Sequence, residues 1–572
     1  MSIALLPCAV AAALAASVPA TDDPPAVAAT TATTAPSDTT DTAPSADPGP
    51  LAPAGFASVD LSTLAARPHH LVETIGTSRG GEPIHAITLC RAPADRRLPA
   101  ILLVGGLDGS QLASTAQVLA ALEALAADES GLLDRVRVLA IPRANPDARE
   151  AALLGGLPRA TNARRVDDDR DGASDEDGPR DLDGDGLVTS MRRVAPPGRS
   201  ATHVIDAADP RIVRRADRAK GEVATHEVLI EGLDADGDGR IAEDASGGVD
   251  LDRNFPHRYP EFASDAGPYP LSEPESLAIA KFVRAHPEIA TAIVFGRHDT
   301  LAKFPDTKDR DFTGRTPMVY HADDHDLYRE FAKSWRESTG VEKSESADLA
   351  GSLVLWLADH RGIAAVAANG WSRPEAPPLP EGAASPGETG DAEQAAWLAV
   401  VDRLYGGRGF APWRAFEHPT LGAVEIGGFA PFLRESPTAT QAADLAKRTA
   451  PFAVALAGRR PEIVASDAVV TPLADGLARV ELRVTNAGNL ATTTSMGRTT
   501  GVVPPVVIRL GVEPAAVLSG RPVVKLDRLA AGESHDASWI VRMPAEGPLA
   551  ITVSGPFFDD IRIDARRAGD DR

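Results

Sequence analysis

The run at residues 99–106, PAILLVGG, leaves this chain few folds to choose from. A strand with no polar alternation must be covered on both faces, as a central strand is when helices lie above and below its sheet. Residues 111–128 follow with apolar positions at helical spacing and many alanines, and 136–141 form a second buried run. Strand, helix and strand in that order predict an α/β domain with a mixed sheet and helices on both faces. Residues 69–91 alternate on either side of Ser78-Arg79-Gly80-Gly81, which is a hairpin signal. The same reading predicts strands at 289–295 and 363–368, helices at 275–285 and 325–338, and a short strand at 423–426.

Past residue 459 the pattern turns all-β. Val480, Leu482 and Val484 alternate strictly, and 506–510, 538–542 and 549–553 repeat the signal. A small β-sandwich over 462–566 is expected to follow an α/β domain over 56–458. At the other end, the apolar run 3–16 precedes Val18-Pro19-Ala20, so residues 1–20 read as a signal peptide. That run is too short to span a membrane. Residues 21–55, rich in Thr, Ala and Pro, read as a disordered linker. The expected location is secreted or periplasmic. Cleavage would leave Cys90 as the one thiol, without a disulfide partner. A formal net charge of −23 argues against nucleic acid or an anionic membrane as partner.

Much of that acid lies in an insertion at 161–247. The pattern D-x-D-x-D-G occurs three times: Asp167, Asp169, Asp171; Asp181, Asp183, Asp185; and Asp234, Asp236, Asp238, each before a glycine. Alternating carboxylates ahead of a glycine that turns sharply are how a loop wraps oxygen ligands around calcium. The glutamate of an EF-hand's twelfth position is absent, Gly178, Arg192 and Ala245 standing there. Calcium is the expected cofactor of these loops, and solvated acid without an ion is the alternative.

Several further segments occur in a fixed order: SRGGEPI at Ser78, GGLDGSQ at Gly105, Asn145-Pro146-Asp147, GGVDLDRNFP from 247, PLSEPES at Pro270 and GSLVLWLADHRGI at Gly351. In this order over residues 59–457 they resemble the zinc carboxypeptidase (carboxypeptidase A-like) family, in a bacterial branch with Asp-rich insertions. The resemblance implies one zinc held by His-x-x-Glu and a distant histidine, a general-base glutamate, and an Asn-Arg pair for the substrate's terminal carboxylate. Aligned on Gly105-Gly106, the first two ligands fall on Asp108 and Gln111, and the third, counted back from Pro305, falls on Gly296. The general base falls on Asn369, and the Asn-Arg pair is Asp252-Arg253.

A carboxylate, an amide and a glycine do not make the three strong ligands that zinc needs, and an amide does not exchange a proton. The site is therefore expected to be degenerate, and the protein to be a non-catalytic pseudopeptidase. Such a module would bind a peptide or another carboxylate-bearing ligand, with Arg253 as its substrate-binding residue unless Asp252 pairs with it. Two other readings stay open. One is an active metallocarboxypeptidase whose zinc is held by Asp108 and a shifted His298. The other is a structural exported protein acting through its β-domain. Glu425 is a further carboxylate in a family-like segment, read as a structural acceptor.

Overall fold

The computed structural model describes residue 56 and residues 61–565, except 167–173, 175–177, 197–200, 236, 238, 243–246, 303, 306–307, 309, 311–312, 315–317, 380–388 and 545–546. The expected leader and linker lie outside the described residues, as do Asp167, Asp169, Asp171, Asp236 and Asp238.

The hairpin expected around Ser78 forms from β1 (His70–Thr77) and β2 (Pro83–Leu89), paired antiparallel. The apolar runs become β3 (Ala100–Val104) and β4 (Arg137–Ile141), and β9 (Ile289–Phe295) and β10 (Ala364–Ala368) complete a six-stranded sheet. Its order is β1-β2-β4-β3-β9-β10. β4, β3, β9 and β10 run parallel, and the hairpin joins them antiparallel through β2. Every residue of β3 and β10 is buried, which explains their unbroken apolar sequence: helices cover the sheet. The helices here are α1 (Ala113–Ala126), α2 (Pro146–Gly155), α3 (Pro274–Ala285), α4 (His325–Thr339), the short turn α5 (Leu353–Leu355), α6 (Ala392–Arg403) and α7 (Ala439–Ala457), of which α1, α3, α4, α5 and α7 give side chains to the core of the sheet. α7 packs on both α1 and α4, and α3 packs on β1.

Of a second sheet, only the short strand expected at 423–426, which lies within its β12, was legible in the sequence. β5 (Ser190–Val194), β6 (His203–Ile205), β7 (Val213–Arg215) and β8 (His226–Ile230) arise within the acidic insertion. They join β11 (Phe410–His418) and β12 (Gly422–Phe429) in the order β11-β12-β5-β8-β6-β7. The insertion is thus a folded element stitched to the domain by β12, with Met191 and Ile426 in a small core of its own.

From Ile463 to Ala565 the chain forms two antiparallel sheets. One holds β13 (Ile463–Ala465), β14 (Val469–Pro472), β15 (Leu477–Asn486), β17 (Val517–Ser519) and β19 (Ser534–Arg542). The other holds β16 (Val506–Leu510), β18 (Val523–Leu526), β20 (Leu549–Gly555) and β21 (Phe558–Ala565). Val480, Leu482 and Val484 of β15 share a core with Ile508, Ile551 and Val553 of the facing sheet, which is the expected sandwich. It docks on the α/β domain through α8 (Ser495–Thr500), whose first-turn amides of Ser495 and Met496 donate to the buried Asp324 carboxylate at 2.7 and 3.2 Å. Arg96–Asp559 and Arg97–Asp560 ion pairs hold its far edge.

Candidate functional site

Three parallel strands end side by side, and together they deliver four of the sequence-derived positions. β3 leads into a loop carrying Asp108 and Gln111, β9 into Gly296-Arg297-His298, and β10 into Asn369. The carboxyl ends of parallel strands are where open α/β sheets place their ligand crevice. The first loop is sharply bent: Gly106 has φ +65°, and a Cβ there would lie 3.0 Å from the main chain of Arg143. Asn145, the cap of α2, accepts from the Ala148 amide at 3.1 Å and donates to the Leu107 carbonyl at 3.2 Å, fixing that loop to the next.

Asp108, Gln111, Arg297 and Asn369 line one cleft of about 490 Å³, together with Trp371 and Arg434. The Asp108 Oδ1 accepts from the Ser110 amide at 2.7 Å and the Ser110 hydroxyl at 2.6 Å. Its Oδ2 faces Arg297 Nη1 at 3.7 Å, and the other end of the guanidinium, Nη2, pairs directly with Asp250. Burial works against the Arg297 charge, but Asp250, Asp108 and Asp252 overcome it and raise its pKa. Burial also pushes Asp250 up, to about 7, against the pull of Arg297. A guanidinium thus supplies the positive charge at the centre of the carboxylates.

Gln111 donates through Nε2 to the Glu435 carbonyl at 2.7 Å. Asn369 is spent on structure as well: its Nδ2 donates to the Glu345 carbonyl and its Oδ1 accepts from the Trp371 amide, both at 3.3 Å. Gly296 hydrogen-bonds through its amide to Ala368 at 3.4 Å. His298 is 1% exposed, with Nε2 3.3 Å from Asp252 and Nδ1 donating to the Ala347 carbonyl at 3.4 Å. Burial lowers its pKa, against the pull of Asp252.

This donor set does not fit zinc. One ligand position is an amide, one a glycine, and the carboxylate faces a guanidinium. Among the described residues, Asp108, Asp250, Asp252 and His298 do not bring three ligand atoms within 4.8 Å of one another. The group that does is Asp181, Asp183 and Asp185, on the surface of the insertion. There Asp181 accepts from the Gly184 and Gly186 amides at 2.7 and 2.9 Å. The buried Glu231 accepts from the Leu182 and Thr189 amides, both at 2.7 Å, and anchors the loop to β8. Asp234 accepts from the Gly237 amide at 2.7 Å.

The Asp252-Arg253 ion pair, weighed as the alternative to ligand binding by Arg253, does not form. Arg253 Nε donates to Asp265 at 3.0 Å, while Asp252 accepts from the Leu353 amide at 2.8 Å and faces His298. Consecutive side chains diverge on the short helical turn Leu251–Arg253, so each finds a distant partner. Arg253 does not line the cleft. Glu425, on β12, accepts from Arg192 Nε at 2.8 Å. The sequence missed Arg297 and Asp250, because a pair between two loops leaves no local signal, and it missed Arg434, which lies outside any motif.

Residues 60–171 match the model of the zinc carboxypeptidase family, and 462–565 match that of a domain of unknown function, DUF8731. That match to the zinc carboxypeptidase family covers the stretch holding β1 to β4, α1 and α2. Three of the solved structures similar to the chain are these. Bovine thrombin-activatable fibrinolysis inhibitor, in complex with tick carboxypeptidase inhibitor, is 14% identical over 69% of this chain and 94% of its own, at a TM-score of 0.35. Carboxypeptidase A of Helicoverpa armigera is 14% identical over 61% and 69%, at 0.32. A metallo-carboxypeptidase of Burkholderia cenocepacia is 11% identical over 71% and 67%, at 0.33. No curated protein matches the chain.

Proposed function

We propose that this chain is an exported, non-catalytic carboxypeptidase-like module that binds a carboxylate-bearing ligand, such as a peptide, in the cleft at the ends of β3, β9 and β10. The observation that carries this reading is Arg297. A guanidinium paired with Asp250 and facing Asp108 takes the electrostatic role a metal plays, without offering a position for water. Asn369 supports it from the other side, since its amide is committed to the main chain and does not exchange a proton. The exported location rests on the apolar run 3–16.

Calcium belongs to the same proposal as a folding ligand of the insertion. Asp181, Asp183 and Asp185 converge on one side of a loop, and a divalent cation would neutralise charges that otherwise repel.

The direct test is hydrolysis. Incubated with N-acylated peptides, the purified chain is expected to release no C-terminal residue with or without added zinc, and Asn369→Glu alone is expected to restore nothing. Release that Asp108→Ala abolishes would establish the working metallocarboxypeptidase instead.

A further inference from the structure

Six asparagines occur in the chain, and one of them, Asn369, precedes a glycine. An amide nitrogen that follows an asparagine can attack its side-chain carbonyl, and a glycine puts no Cβ in the way. The side chain of Asn369 folds back over its own peptide. Trp371 N donates to Asn369 Oδ1 at 3.3 Å, an Asx turn that carries Cγ towards the Gly370 nitrogen. Gly370 has φ +76°, and its N–H donates to Ser344 Oγ at 3.0 Å and to Asp299 Oδ2 at 3.4 Å. Asp299 is 1% exposed and cannot swing away, because its Oδ1 accepts from the Leu301 and Ala302 amides at 2.8 and 2.7 Å. The Asn369 Nδ2 is oriented by the Glu345 carbonyl at 3.3 Å, and Asn369 lines the cleft, where water can enter. An electrophilic carbon, a nitrogen beside it and a carboxylate on that nitrogen's proton thus stand together.

We propose that Asn369-Gly370 is a modification site, at which the folded chain deamidates its own asparagine with Asp299 as the base. The Gly370 nitrogen attacks Asn369 Cγ while its proton passes to Asp299. The new N–Cγ bond closes a succinimide ring, the Cγ–Nδ2 bond breaks, and Nδ2 leaves as ammonia with the proton that Asp299 returns. Water then opens the ring at either carbonyl and leaves aspartate or isoaspartate at position 369. Nothing is oxidised or reduced. The cleft gains one negative charge at the position that the family resemblance assigns to a general base. The proposal goes beyond the binding reading and stands apart from it, since the step needs no ligand in the cleft.

The experiment is peptide mapping by mass spectrometry of the full chain, aged at neutral pH either folded or in urea and then digested at acidic pH. Burial alone would slow deamidation, so the two states separate a site that the fold protects from one that the fold promotes. Aspartate or isoaspartate at position 369 is expected to accumulate at least as fast in the folded chain as in the unfolded one. Asn369→Gln, whose longer side chain closes a less favourable ring, is expected to lose the product. Asp299→Asn, shown to be folded by near-UV circular dichroism, should slow the folded chain about tenfold or more and leave the rate in urea unchanged. Slower accumulation in the folded chain than in urea, or a folded Asp299→Asn variant that keeps the original rate, would overturn the proposal. Ser344→Ala gives a second test should Asp299→Asn fail to fold. It leaves Asp299 as the acceptor of the Gly370 N–H, so the folded rate should hold or rise. A fall in that rate would give the role of base to the hydroxyl and overturn the part assigned to Asp299.

Discussion

Arg297 is a half-buried charge whose value lies in its buried partners, Asp250 and Asp108. Breaking a buried ion pair from one side leaves an uncompensated charge and costs about 3–5 kcal/mol. Arg297→Ala is therefore expected to lower unfolding stability by about that amount, because Asp250 and Asp108 would keep their burial and lose their cation. Denaturant unfolding measures it, and a loss below about 1 kcal/mol would show the guanidinium to be incidental. A second residue-scale case is His257, whose Nε2 donates to the Met318 carbonyl at 3.0 Å and whose Nδ1 accepts from His360 Nε2 at 3.3 Å. Burial lowers it to about 4, whereas burial, with Asp324 nearby, raises Asp359, 3.2 Å away, well above the carboxylate range. Between pH 6.5 and 4 the unfolded chain binds a proton at His257 that the native state refuses, so acidification costs stability there, up to about 3 kcal/mol. Asp359 has the opposite sign, being protonated in the native state and ionised in the unfolded chain. Relative to the native sequence, His257→Gln should gain stability on acidification and Asp359→Asn should lose it. Slopes of the same sign in the two variants would contradict this assignment.

Among the elements, the loop that leads to β5 carries the calcium proposal. If an ion binds the native loop alone, a free concentration of 100 times its dissociation constant adds about 2.7 kcal/mol. Melting temperature should rise with calcium beyond the effect of NaCl at equal ionic strength, and Asp183→Asn with Asp185→Asn should blunt the rise. No response in protein shown to be calcium-free would leave the loop as solvated acid. The strands were legible in proportion to their burial. β3, β4, β9 and β10 are apolar because both their faces are covered, and β15 alternates because one face is wet. β5 to β8 read as SMRRV, HVI, VRR and HEVLI, short and half-charged, and β5 depends on β12 far along the chain. The motifs were visible for a reason sequence alone does not disclose. Ser78 donates to Asp147 at 2.6 Å, Arg79 to Glu273 at 2.9 Å, and Asn162 to Glu273 and Glu275 at 3.0 and 3.1 Å. Much of the recognisable pattern is thus a buried polar network that ties the hairpin, α2 and α3 together. Asp108, Gln111 and Asn369 were placed in one cleft by alignment to those motifs, while Arg297 acquires its role only through contact with Asp250.

At the scale of the whole molecule, the sandwich is fixed to the α/β domain by a helix cap. Asp324, 4% exposed, accepts both first-turn amides of α8, and leaving those donors without a partner costs about 1–3 kcal/mol. Asp324→Ala should lower the stability of the full chain by that amount, as read by thermal unfolding, and an unchanged transition would show that the ion pairs at Arg96 and Arg97 suffice. On the function proposed above, the guanidinium of Arg297 stands among the cleft's carboxylates in place of a metal. Elemental analysis of the purified chain after dialysis against zinc tests that most directly. Zinc well below one equivalent per chain is the expected result, and one equivalent that survives dialysis and disappears in Asp108→Ala would contradict the account.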